Sequence, residues 1–266
     1  MEMGPDTSRF DVIVIGGGIA GQESALNLAD SGRRVLLVEK DVSLGGKMIH
    51  LSKVFPTLDC AACITTPKVS ETARHPNITI STYSEIVDIE KTPDNSFSGV
   101  LMKHPRYVVE KDCTGCQDCE EVCPVIVDDQ YQYGFVGRKA AYVPFSIAIP
   151  RIATIDIENC ILCGACEKAC PADAIDFTQK MEKESVTAGS VIVATGFDLF
   201  DPAVIERYGG GGYKNVITSM QMERQLVPTR PFNNVLRPGD GKIPDNIAYV
   251  LCTGSRDETV GNPICS

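Results

Sequence analysis

Three histidines in 266 residues leave little from which to build a hydrolytic centre. His75 and His104 each precede a proline and read as turn markers, and His50 stands alone. No Ser/His/Asp or paired-carboxylate arrangement accompanies them. Long apolar runs are also missing. Val12–Ile15 and Val191–Ala194 are typical of what there is, far short of the ~20 residues that cross a bilayer, so no transmembrane segment is expected. The opening Met-Glu-Met-Gly-Pro-Asp lacks the basic start and apolar stretch of a secretory signal. Basic residues are outnumbered, 25 Lys and Arg against 35 Asp and Glu, for a net charge of −10. An acidic surface repels nucleic acid and anionic membranes, and neither is an expected partner. The 43% hydrophobic content and the length suit a globular chain of one large domain or two ordinary ones.

Cysteine, by contrast, is plentiful, with twelve in all. Eight fall into two runs, Cys113-x-x-Cys116-x-x-Cys119-x-x-x-Cys123-Pro124 and Cys160-x-x-Cys163-x-x-Cys166-x-x-x-Cys170-Pro171. Zinc knuckles need four ligands with no fixed third spacing. A four-cysteine run occurring twice, each closed by proline, points instead to two [4Fe–4S] clusters. In such runs the fourth cysteine is carried away from its own loop to the other cluster. The expected sets are therefore Cys113, Cys116, Cys119 and Cys170 on one cluster, and Cys160, Cys163, Cys166 and Cys123 on the other. Cysteines committed to iron also argue for a reducing, cytoplasmic location.

Near the start, Phe-Asp-Val-Ile-Val-Ile runs into Gly16-x-Gly18-x-x-Gly21, then a helical stretch from Ala20 to Asp30, then the strand Val35–Val38 ending at Glu39-Lys40. Strand, glycine turn, helix, strand and a terminal acid together make a dinucleotide fingerprint. Gly16 permits the tight turn, Gly18 admits a pyrophosphate and Gly21 lets helix pack on strand, while Glu39 is suited to accept from a ribose hydroxyl. Gly45-Gly46 then occupies the loop that flavoproteins with two dinucleotide domains lay along the flavin. Ser190 to Gly196 resembles the Ala-Thr-Gly strand with which they return to the FAD sheet. FAD is favoured over NAD, with Gly16, Gly18, Gly21, Glu39, Lys40, Gly45, Gly46, Ala194, Thr195 and Gly196 as the expected cofactor-binding set.

Cys60-Ala-Ala-Cys63 precedes Thr65-Thr66-Pro67, which reads as a helix start with threonine caps. The pair has three open readings: buried packing, a redox contact with the flavin, or ligands of an additional cluster. Strands are expected over residues 77–82, 84–91 and 97–103, the last two paired across Pro93-Asp94-Asn95. The cluster module then runs from about Pro105 to Thr178, and the flavin sheet resumes as two strands, 184–187 and 191–195. The aromatics Tyr131, Tyr133, Phe135, Tyr142 and Phe145 are expected to pack the module against its host or a partner. Beyond Gly196 come the mobile Gly209–Gly212 loop, a capping box at Thr218-x-x-Gln221 opening a helix to about Leu226, and a proline-rich connector, Pro228–Pro244. Ile247 to Ser255 reads as the first strand and turn of a second sheet.

The fold class that follows is α/β: a Rossmann-like FAD-binding domain of the two-dinucleotide-binding flavoprotein type with an inserted α+β two-cluster ferredoxin module. The expected divisions are 1–104 and 181–245 for the flavin domain and connector, 105–180 for the module, and 246–266 for the start of a second nucleotide-type domain.

The order of parts resembles the A-subunit family of heterodisulfide reductases of methanogens and other anaerobes. The resemblance rests on Gly16–Gly21 with Glu39, Asp59-Cys60-Ala-Ala-Cys63 leading to Thr66-Pro67-Lys68, Arg74-His75-Pro76-Asn77, both cysteine runs, Ala194-Thr195-Gly196, and Cys252-Thr-Gly-Ser-Arg-Asp with Gly261-Asn-Pro-x-Cys265-Ser. It implies an oxidoreductase subunit that binds FAD and passes electrons through [4Fe–4S] clusters. In some complexes such a subunit bifurcates electron pairs between ferredoxin and the CoM–CoB heterodisulfide. Implied partners are the other heterodisulfide-reductase-type subunits, a hydrogenase or formate dehydrogenase electron-delivery subunit, and ferredoxin. Methanogen members often carry an N-terminal extension absent here, and their later domains are missing, as for an N-terminal fragment. Cys252 and Cys265 would then be half of a third cluster site completed beyond Ser266, since two thiolates cannot complete a cubane. Two other functions compete: the flavoprotein subunit of a quinone-interacting complex of sulfate reducers, and a flavin-free cluster scaffold.

Overall fold

A computed structural model describes residues 8–260 and 263–265. β1 (Arg9–Ile15) and β2 (Val35–Glu39) are runs of β-branched and leucine side chains, and β2 is buried at every position, as the middle of a parallel sheet requires. α1 (Ile19–Asp30) connects them. A short 3₁₀ helix, Gly46–His50, and a tight hairpin of β3 (Lys53–Val54) and β4 (Asp59–Cys60) lead into α2 (Ala61–Arg74). β5 (Ile78–Thr82) adds a parallel edge strand, and β6 (Ser84–Lys91) and β7 (Phe97–Lys103) form an antiparallel hairpin.

From there the chain leaves the sheet. The module between residues 104 and 181 contains α3 (Asp118–Glu121), the antiparallel pairs β8 (Ile126–Asp128) with β9 (Gly137–Lys139) and β10 (Ala141–Tyr142) with β11 (Thr154–Ile155), and α4 (Ala165–Ala169). The chain re-enters with β12 (Glu182–Val193), and Glu182 pairs with Lys103, the last residue of β7. Exit and return are therefore neighbours on adjacent strands. The main sheet runs β5-β2-β1-β12-β7-β6. Its two faces follow the alternation of the strands. Val12, Val14, Val35 and Leu37 pack with Ala25, Ala29, Leu44 and Val69, whereas Ile13, Leu36 and Val38 pack with Phe10, Leu101, Val186 and Ala188.

Three expectations are corrected. The returning strand is one twelve-residue element, not two. Its first half pairs antiparallel with β7 and its second half parallel with β1, so pairing continues through Gly189 without a break. The helix after the cysteine pair starts at Ala61, four residues before Thr65. Thr65 and Thr66 do not cap it; their hydroxyls donate back to the carbonyls of Ala61 and Ala62, and Pro67 lies inside. Ile247–Leu251 is not a strand. Ile247, Tyr249, Val250 and Leu251 are each more than half exposed, because an extended segment with no neighbouring strand has nothing to satisfy its backbone. Thr218 does form the capping box with Gln221, opening α5 (Ser219–Leu226). The Gly261-Asn262 part of the last turn lies outside the described residues, as do Met1–Thr7. Among the described residues no helix is long and apolar enough to cross a membrane.

Candidate functional site

At the end of β1 the strand order switches, with β2 on one side and β12 on the other, the place where open α/β sheets leave a crevice. The glycine turn fills it closely. A Cβ on Gly21 would strike the carbonyl of Gly16, and one on Gly16 would strike that of Ala194. Gly46, at a left-handed φ of +55°, brings a second glycine pair over the first; a Cβ there would stand 2.8 Å from the Gly18 Cα. The Gly45 N–H donates to the Gly17 carbonyl at 3.0 Å. Gly16, Gly18, Gly21, Gly45 and Gly46 thus come together, with Ala194, Thr195 and Gly196 at the mouth. α1 begins at Gly18 with no side-chain cap and no acidic residue in its first turn. Its first N–H groups and the positive end of its dipole suit an anion, and the glycine cradle suits a pyrophosphate that must approach backbone.

Glu39 is buried, and its carboxylate accepts from the Gly17 N–H at 2.7 Å and the Asp41 N–H at 2.8 Å. Burial pushes its pKa up, against the pull of those two backbone bonds. A carboxylate has lone pairs beyond these two, so Glu39 anchors the turn and keeps acceptor capacity for a ribose hydroxyl. Lys40 is exposed beside it.

The two cysteine runs adopt one loop twice. Gly115 and Leu162, each before the second cysteine, are left-handed, as are Gln117 and Gly164, each after it. Cys113 matches Cys160 in partial burial, Cys116 matches Cys163 in exposure and Cys119 matches Cys166 in burial. Two hollows result. One is lined by Cys113, Cys116, Cys119 and Cys170. The other is lined by Cys160, Cys163, Cys166 and Cys123. Burial, reinforced by Cys113, Cys116, Cys166 and Cys170, pushes the Cys119 thiol up to about 12. So many sulfurs cannot all ionise without a cationic core between them, and iron supplies one. The Leu162 and Ala174 N–H groups already point at the sulfurs of Cys160 and Cys170, at 3.4 and 3.3 Å, bonds of the kind that raise cluster potentials.

Three sets of contacts join the two sites, and of these only the aromatic packing is signalled by the linear sequence. Buried Arg106 donates to Glu110 (2.6 Å) and Thr154 (2.9 Å) in the module, and to Thr82 (2.6 Å) and the Val42 carbonyl (2.9 Å) of the flavin domain. The loop carrying Gly45-Gly46 is tied to Ile149, whose carbonyl accepts from the Leu44 N–H at 2.9 Å and whose N–H donates to the Ser43 hydroxyl at 2.8 Å. Tyr131 stacks on Phe145, and His50 is not isolated: it packs on Tyr131 and Tyr133 at the seam. Burial, with the Arg224 cation, lowers the His50 pKa to about 4.

Cys60 caps α2 and Cys63 lies one turn in, exposed. Burial raises the Cys60 pKa, but hydrogen bonds from the Cys63 N–H, the Cys63 thiol and the Ala62 N–H together outweigh it, so the net shift is downward, while Cys63 is raised by its partner. Cys252 sits in a left-handed turn, exposed, not at a strand end. The Arg256 N–H donates to the Ile264 carbonyl at 3.2 Å.

Two family models match separate parts of the chain. A FAD dependent oxidoreductase family model matches residues 11–59, and a 4Fe-4S dicluster domain model matches residues 112–175. FAD and [4Fe–4S] clusters are therefore its cofactors, and the fold is a Rossmann-type flavin domain carrying a cluster module. The chain is 46% identical over 96% of its length to the A subunit of the ferredoxin:CoB-CoM heterodisulfide reductase of Methanosarcina mazei, of which it spans 32%. It is 49% identical, again over 96%, to the A subunit of the H2/formate:CoB-CoM heterodisulfide,ferredoxin reductase of Methanococcus maripaludis, of which it spans 39%. Among solved structures, T. acidophilum thioredoxin reductase is 26% identical over 35% of this chain and 31% of that one, with a TM-score of 0.32.

Proposed function

We propose that this chain, a relative of the A subunits of heterodisulfide reductases over 96% of its length, is the flavin-to-cluster electron-transfer unit of a heterodisulfide-reductase-type oxidoreductase. A flavin exchanges electrons in pairs and a cubane singly, so holding both in one body makes a two-to-one converter. The observation that carries this is the joint attachment of the flavin loop and the module through Ile149, Ser43 and Arg106. Residues 41–46 serve the dinucleotide cradle on one side and the cluster module on the other.

Gly16, Gly18, Gly21, Gly45 and Gly46 hold the pyrophosphate in this reading, Glu39 the ribose, and Ala194–Gly196 the way to the flavin. Each cluster takes three cysteines of one run and the fourth of the other. The sets lining the two hollows support that crossing. The larger complex exchanges electrons with ferredoxin and with hydrogen- or formate-derived donors, classes that appear in the relatives' names, and works in the cytoplasm. Cys252 and Cys265 begin a further cluster site. Bifurcation between ferredoxin and the heterodisulfide belongs to the whole complex.

Anaerobic reconstitution followed by flavin and iron analysis should give one FAD and about eight irons for the two runs. Zinc in place of iron would end the reading. Cys123→Ser should alter the EPR signal of the cluster held by Cys160, Cys163 and Cys166. A change confined to the Cys113 cluster would refute crossing.

A further inference from the structure

The two cysteine runs form one loop twice, yet they part at the proline corner. The Cys170 carbonyl accepts from the Asp173 N–H at 3.3 Å, a neutral backbone bond. The matching Cys123 carbonyl accepts from the Lys139 ammonium at 2.7 Å. Lys139 ends β9 and stands opposite Ile126 of β8. The next residue, Ala140, donates its N–H to the Val125 carbonyl at 3.2 Å. Two successive residues thus clamp the chain on either side of Pro124. The ammonium is held a few covalent bonds from the Cys123 sulfur, and Cys123 lines the hollow of Cys160, Cys163 and Cys166.

Other influences on cluster potential are closely matched between the two sites. Among the described residues each set receives one backbone N–H on sulfur, from Leu162 to Cys160 and from Ala174 to Cys170. The first three cysteines of each run match in exposure. Acids flank both runs, Asp112 and Asp118 on the first, Glu158 and Glu167 on the second. Arg138, beside Lys139, is paired with Asp156 at 2.9 Å. Glu120 and Glu121 share with Lys139 a cleft that Cys116 also borders. Glu120 accepts from the Gln117 side chain and the Val143 N–H, at 3.1 and 3.2 Å, while Glu121 is exposed. They weaken the field of Lys139, but the ammonium is the charge bonded directly to a ligand residue.

We propose that Lys139 separates the potentials of the two clusters, making the one held by Cys160, Cys163, Cys166 and Cys123 the higher. Reduction adds one electron to a cubane already ringed by thiolates, and a nearby fixed cation stabilises that added charge. An electron entering the module therefore settles on the Cys160 cluster. Lys139 is a positioning residue in this role, not a ligand. The inference rests on the crossed ligation proposed above, which brings Cys123 to that cluster.

The test is an EPR-monitored redox titration of the reconstituted holoprotein. The unaltered protein should show two one-electron cluster steps, the upper belonging to the cluster whose signal Cys123→Ser alters. Lys139→Gln, which can still donate but carries no charge, should lower the equilibrium constant of the upper step at least threefold. That is a fall of about 30 mV for one electron, and it narrows the gap between the steps. Lys139→Arg should keep the gap. Ile126 is exposed and opposite Lys139, so Ile126→Glu supplies a counter-charge without touching the clamp and should lower the same step, whereas Ile126→Gln should not. An upper step unchanged or raised in Lys139→Gln, or in Ile126→Glu where Lys139→Gln loses its iron, overturns the proposal. Coincident steps in the unaltered protein overturn it without any variant. A Cys123→Ser change confined to the Cys113 cluster would instead overturn the crossing, and this inference with it.

Discussion

The flavin sheet buries Val35, Leu36, Leu37 and Val38 almost completely, and Ile13 and Val14 beside them. The core of the cluster module is instead built from Cys119, Cys123 and Cys166, the alanines at 140, 141, 153 and 174, and a few β-branched side chains. Fully burying a Val or Leu stabilises a fold by about 1.5–3 kcal/mol, so the sheet holds itself together. Alanines and thiols contribute far less. Helices of four and five residues and strands of two or three add little cooperativity. One region folds around its own side chains and then receives a cofactor, whereas the other has the cofactor as its core.

Iron removal should break this comparison most visibly. Chelation should abolish amide protection across residues 113–175, because bonding to the clusters supplies folding energy there, while β1 and β2 stay protected. Hydrogen exchange with and without chelator measures it, and equal loss in both regions would show that they fold as one unit. Next in size is the joint between them. Arg106→Met should cost about 3 kcal/mol, since it leaves the buried Thr154 hydroxyl and the partly buried Thr82 hydroxyl and Val42 carbonyl unmatched. Thermal unfolding would then resolve into two transitions in place of one.

His50 sharpens the same boundary through pH. It is held neutral in the seam, with a pKa of about 4 against the ordinary 6.5. Between those values the unfolded chain binds the proton and the folded chain does not. Stability contributed by the seam is therefore intact above about pH 6.5 and falls as pH drops toward 4, by on the order of 3 kcal/mol. Urea unfolding at several pH values should show the slope, and His50→Gln should flatten it. The smallest effect lies outside both cores. Thr218→Ala removes the cap of α5 and should cost about 1 kcal/mol, with flavin and iron content unchanged. A loss of flavin would mean that α5 supports the cradle more directly than its packing suggests.

Local chemistry is readable wherever neighbours in sequence decide the outcome. The bounds of β6 and β7, the Thr218–Gln221 box and the repeated cysteine loops follow from alternation, capping and spacing over a few residues. The start of α2 is less legible because Thr65 and Thr66 look like caps, yet both hydroxyls bond back along a helix already under way. Ile247–Leu251 has strand composition and no strand, since an extended segment needs a partner that composition cannot supply.

The sequence by itself determined the local chemistry: glycines at the turn between β1 and α1, an acid at the end of β2, and eight cysteines at cluster spacing. These depend on short-range geometry, which residue order sets directly. Only the tertiary structure decided how the two redox sites are joined. Arg106 bonds residues up to 64 positions away, Ser43 reaches Ile149 across 106, and Arg224 meets Gln132 across 92. No local pattern encodes such pairs. They exist because β7 and β12 lie side by side in the sheet, returning the inserted module against the glycine loop.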